Sequence, residues 1–146
     1  MKKTVVLLLL MCLVLSGCVF PQDKVLNSLG DYSKLVYLSS GGFQDYTDYA
    51  KYKVEKPDMK NNPYFKQLNS GVFIYEFYGY IKNFEEWVRL TGGELAEGYD
   101  FDYTIVNESD YAYMYSNPDY REKYDCYNVY FYDAETNVVY YFHNNI

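Results

Sequence analysis

The chain has 146 residues, with 13 basic and 20 acidic side chains and a formal charge of −7. The acidic surplus is one-sided: residues 18–93 hold nine basic and nine acidic side chains, and residues 94–146 hold two and eleven. That balance argues against a nucleic-acid partner, whose phosphates require Lys and Arg, and against a flat electrostatic seat on anionic lipid.

The first twenty residues carry the clearest signal. Lys2 and Lys3 form a short basic region, and residues 4–15 form an apolar core. The core is shorter than the ~20 residues a membrane span needs, and the small residues Ser16 and Gly17 interrupt it. The run Leu15-Ser16-Gly17-Cys18 resembles the lipobox of bacterial lipoproteins. That resemblance implies a Cys18 sulfur linked to diacylglycerol, cleavage just before Cys18, and a membrane partner reached through acyl chains. Two chains give stable attachment and one only marginal attachment, at about 0.8 kcal/mol per buried CH2. The resemblance further implies a place in the cell envelope, lipid-anchored on the extracytoplasmic side. It divides the chain into a signal peptide (1–17), an anchor with a short tether (18–22) and one domain (23–146). It covers the targeting segment alone and implies no activity.

Cysteine usage follows from this division. Cys12 leaves with the signal and the Cys18 sulfur is consumed by lipid, so Cys126 has no partner for an internal disulfide. Its apolar, strand-like surroundings predict a buried small hydrophobe. All 21 Tyr follow Cys18. Tyr suits a half-buried pleated surface, and with its apolar body and polar tip it also suits a binding face.

In chain order, Asp23 is placed to cap a small helix over 24–29 that ends at Gly30. Residues 34–38 read as a short strand closed by Ser39-Ser40-Gly41-Gly42. Residues 43–54 fit two templates: Phe43, Tyr46, Ala50 and Val54 have helical spacing, whereas Ala50, Tyr52 and Val54 alternate. The helical template is preferred. Pro63, with Asn62 as cap, opens a helical turn over 64–68. Phe73, Phe77, Ile81, Phe84 and Val88 then form one stripe of a long helix, capped at Asn69 or Ser70, ended by Gly92-Gly93 and weakened by Gly79. Glu85 and Glu86 read as its polar face.

After Gly98 the period changes from 3.6 to 2. Residues 99–105, 111–115, 124–132 and 138–143 alternate and are joined by short turns. The predicted fold is α+β, with helices packed on one face of a four-stranded antiparallel meander.

The chemistry-bearing residues are sparse. His143 is the only histidine. No nucleophile elbow, zinc helix, paired-cysteine or calcium-loop pattern occurs, so neither a metal nor a cofactor is expected. Asp100 and Asp102 fall on one strand face, and Asp45 and Asp48 on one helix face. Paired carboxylates of this kind serve acid/base chemistry on glycans or hold a cation. The leading expectation is a non-enzymatic module that binds an envelope protein or glycan through Tyr113, Tyr130, Tyr132, Asp100 and Asp102. The alternatives are a cell-wall glycan-active enzyme using the paired carboxylates and a surface-displayed inhibitor or exclusion factor.

Overall fold

The computed structural model of the protein describes residues 23–42 and 45–146. The signal segment, the lipobox and Cys18 lie outside the described residues. Asp23 Oδ1 accepts from the amides of Val25 and Leu26, each at 3.0 Å, and so caps α1 (Lys24–Asn27). Strands β1 (Tyr32–Gly41), β2 (Tyr46–Val54) and β3 (Lys66–Gln67) precede the long helix α2 (Gly71–Thr91). The short helix α3 (Gly93–Gly98) leads into β4 (Tyr111–Ser116), β5 (Cys126–Asp133) and β6 (Val138–Asn145). All pairings are antiparallel, in the order β1-β2-β6-β5-β4-β3.

The α+β class stands, but the sheet has six strands and not four. Three local expectations change with it. Residues 46–54 form a strand, because β2 is sandwiched between β1 and β6 and its alternation sends Tyr49 to one face and Ala50 to the other. The expected helical turn over 64–68 gives way to the two residues of β3, which pair with Ala112 and Tyr111. Asn62 still caps locally, its Oδ1 accepting from Tyr64 N at 2.9 Å. Residues 99–105 are not a strand. In a meander this stretch would pair with β4, but β3 takes that edge at Tyr111 and Ala112, and the stretch closes as a 3-10 turn at Tyr103–Ile105.

Of the α2 stripe, Phe77, Ile81, Phe84 and Val88 are buried against the sheet and Phe73 is half-buried, while Tyr80, outside the stripe, is buried with them. Ser70 occupies the N-cap position without a side-chain bond, and Gly92 and Gly93 end the helix at φ +65° and +63°, where glycine is favoured. Beneath α2 lie Tyr49, Tyr127, Val129, Phe131 and Phe142. Phe101 wedges between the layers, edge-on to Phe142 at 5.1 Å and Phe131 at 5.5 Å. Helices do not stay on one face. Leu26 and Leu29 of the α1 region join Met59 and Phe65 to cover Val54, Tyr130, Tyr132 and Val139 on the reverse side.

Candidate functional site

The sheet places Tyr113, Tyr130 and Tyr132 on the face opposite α2, but only one of them offers surface. Tyr130 and Tyr132 are 4% and 5% exposed and belong to the second core. Their hydroxyls donate to Asp23 and, at 2.7 Å, to Asn137 Oδ1. Tyr113 is half-buried against Tyr64, with ring centroids 5.6 Å apart. Asp100 and Asp102 sit on the α2 side and do not join these tyrosines. Asp100 accepts from Tyr49 Oη at 2.7 Å and pairs with Lys51. Burial opposes its charge, but these two bonds outweigh burial and hold its carboxyl below the usual range. Asp102 Oδ1 accepts from Thr104 N at 2.8 Å, and this backbone bond lowers its pKa too. A general acid needs the opposite shift. Asp45 and Asp48 share no helix face, since β2 is a strand.

Glu85 is more than polar surface. It accepts from Tyr99 Oη at 3.3 Å and from the hydroxyl of Tyr103. Burial and the Glu85 carboxylate raise both phenol pKa values.

One cleft was not picked out from the sequence. It lies along α2 and the β4–β5 loop, encloses about 470 Å³, and is lined by Val72, Tyr75, Glu76, Tyr78, Gly79, Lys82, Lys123 and Tyr124. Val72 and Tyr75 are each 81% exposed, an unusual exposure for apolar bodies on a helix. Lys123 pairs with Glu76 at 2.6 Å and lies over the rings of Tyr80 and Tyr124, at 5.0 and 5.7 Å. The Glu76 bond raises its pKa, so the amine stays charged. Gly79 has a steric role, because a Cβ there would come within 2.7 Å of Tyr124 Oη. The signal available in sequence was Val72, Tyr75, Gly79 and Lys82 at helical spacing beside the core stripe.

A polar cluster marks the reverse face. Tyr37 Oη donates to Asp48 at 3.1 Å, and Tyr141 Oη donates to Asn128 at 2.8 Å. His143, cross-strand from Asp48, stacks on Tyr141 and donates from Nδ1 to the Tyr127 carbonyl at 2.8 Å. Burial lowers the His143 pKa against the opposing pull of that carbonyl and of Asp48. The unfolded chain therefore takes up this proton first, near the ordinary value of about 6.5. Stability from this site is full above that value and declines as pH falls through it. Urea midpoints measured between pH 7.5 and 5.5 should fall more for wild type than for His143→Gln, and parallel curves would count against this reading. Cys126 is half-buried, not fully buried as its surroundings suggested, because it opens β5 at the sheet's end.

Among the described residues, no three His, Cys, Asp or Glu side chains cluster to hold a metal. No described helix is long and apolar enough to cross a membrane. No protein-family model matches the sequence, and no curated protein or solved structure shows significant similarity to it.

Proposed function

We propose that the protein is a lipid-anchored extracytoplasmic binding module that engages an envelope protein or glycan through the α2 cleft. The order of basic, apolar and small residues before Cys18 supports the anchor. The observation that carries the binding reading is the cleft itself: exposed Val72 and Tyr75 beside Tyr124 and two lysines. Rigid aromatic bodies supply contact area at low entropic cost, and convergent polar groups orient a ligand. The paired-carboxylate enzyme is the weaker reading, since both carboxyls are committed to structural bonds and shifted downward.

A photo-crosslinking residue replacing Tyr75 should capture a specific envelope component in intact cells, while the same residue replacing exposed Glu94 should not. Equal capture at both positions would reject the cleft. Gly79→Ala should displace the Tyr124 ring and cut the position-75 adduct several-fold. Its stability change should stay within about 1 kcal/mol, since better helix propensity offsets the displaced ring. The anchor has a separate test. Cys18→Ala should leave uncut precursor without lipid mass, and a mature N-terminus elsewhere in wild type would sink the lipobox reading.

A further inference from the structure

We propose that the face of the sheet opposite α2 lies against the membrane that holds the anchor, which leaves the α2 cleft facing outward; this rests on the lipid-anchor reading of Cys18. The argument begins with reach. Asp23 is fixed on that face: its Oδ1 caps α1 and its Oδ2 accepts from the Tyr130 hydroxyl in the middle of the sheet. Cys18 is five residues away in the sequence. Five residues span at most about 16–18 Å when fully extended. The nearer sheet edge is two strands from β5, about 10 Å. Passing α2 adds roughly 15 Å more. The tether is too short to turn the molecule over, so the lipid must enter the bilayer on the α1 side.

The surface chemistry of that side agrees. Tyr32, Tyr37 and Tyr115 are 41%, 50% and 45% exposed there. Their partners across the ladders are Val54, Ala50 and Asn128, which puts all three on the face opposite α2. Tyrosine is the residue of membrane–water boundaries, with its ring in the apolar edge and its hydroxyl among headgroups. Of the carboxylates on this side, Asp23 is held by amides and Tyr130, and Asp48 is 7% exposed and bonded to Tyr37, while Asp31, Glu55 and Asp58 are exposed.

Charge is divided in the same sense. The segments on the α1 side, 23–34 and 55–62, carry four acidic and four basic residues. The α2 side, 71–102, carries seven acidic and two basic. A large part of the chain's negative charge therefore sits away from the bilayer, and the segments on the membrane side are balanced in charge.

Trp87, the single tryptophan, lies on α2 and reports on the opposite orientation. The experiment uses the full-length lipidated protein in phosphatidylcholine vesicles containing a dibrominated acyl chain, which quenches nearby tryptophan. Two reporters are built on a Trp87→Phe background, Tyr37→Trp and Tyr115→Trp, so that a folding failure at one leaves the other. Quenching at positions 37 and 115 should be several-fold stronger than at Trp87 in wild type. Stronger quenching at Trp87, or none at any position in protein that carries lipid mass and floats with vesicles, overturns the orientation and leaves the anchor intact. Blue-shifted emission at 37 and 115 that ignores bromine and grows with protein density points to a second copy on this face and also overturns it. Absence of lipid mass overturns the anchor reading and the orientation with it.

Discussion

Phe84→Ala is expected to cost the domain about 3–5 kcal/mol, the usual range for deleting a buried ring. Phe84 has no exposed surface and packs edge-on against Phe142 at 5.3 Å, with Tyr99 at 5.7 Å and Tyr49 at 6.4 Å. Two of those walls cannot collapse inward freely. Tyr49 is held by Asp100 and Tyr99 by Glu85, so truncation leaves a cavity and not a repacked core. Small domains hold about 5–15 kcal/mol in total, which makes this loss a large fraction. Glu85→Ala should cost about 1–3 kcal/mol by orphaning the mostly buried Tyr99 hydroxyl. The neutral comparison is Glu86→Ala, whose nearest cation is Arg89 at 4.0 Å on an exposed helix face, with an effect within about 0.5 kcal/mol. Urea midpoints order the three variants. If Phe84→Ala and Glu86→Ala gave the same midpoint, the packing of α2 on the sheet would be wrong.

The α2 helix was legible because its period and its burial have the same cause: one 3.6-residue stripe meets one sheet face. β2 was not, because its fate is decided by partners far away in sequence. Its ladder runs from Tyr46 opposite Asn145 to Lys53 opposite Val138, and local spacing of Phe43, Tyr46 and Ala50 contains nothing of those pairings. Residues 99–105 show the converse. Their alternation is real, with Phe101 turned inward and Asp102 outward, yet extended backbone becomes a strand only where a neighbour has free amides and carbonyls.

Period 2 puts Tyr130 and Tyr132 on one face of β5, and the β4–β5 register adds Tyr113 opposite Tyr130. It could not say which of them is covered. That depends on Leu26, Leu29, Met59 and Phe65, which come from a one-turn helix and an irregular loop with no periodic signature. The Asp100 environment was equally hidden, since Tyr49 and Lys51 arrive from about fifty residues upstream. The cleft was readable in part: Val72 and Tyr75 are apolar residues off the buried stripe, and such residues on a helix call for a partner or a neighbour. Tyr124, which completes the wall, comes from a loop whose position only the fold determines.

Asp110→Ala should be the most damaging loss of a polar group, at about 2–4 kcal/mol, because it leaves two backbone donors without acceptors. Asp110 is fully buried where β3, β4 and the β5–β6 turn converge. Its Oδ2 accepts from Asn107 N at 2.8 Å, its Oδ1 from Ala134 N at 2.9 Å, and its carbonyl from Leu68 N at 2.8 Å. The side chain thus ties the Asn107 turn to the β5–β6 turn while the main-chain carbonyl holds Leu68, and removal of the carboxylate loosens the start of β4. Burial raises the Asp110 pKa, and the nearby Asp133 and Glu135 push it the same way, while the two amide bonds oppose them. The folded state therefore binds this proton at a higher pH than the unfolded chain does. Stability from Asp110 rises as pH falls through its raised folded value towards 3.8, and the buried charge is a net cost at neutral pH. Asp110→Asn removes the charge but keeps a single acceptor oxygen, so at pH 7 it should fall between wild type and the alanine variant. As pH drops from 7 toward 4.5, wild type gains a proton that asparagine cannot bind, and the gap between the two should move in favour of wild type. A gap that stays constant with pH, or an alanine variant within about 0.5 kcal/mol of wild type, would show that Asp110 does not hold these segments together.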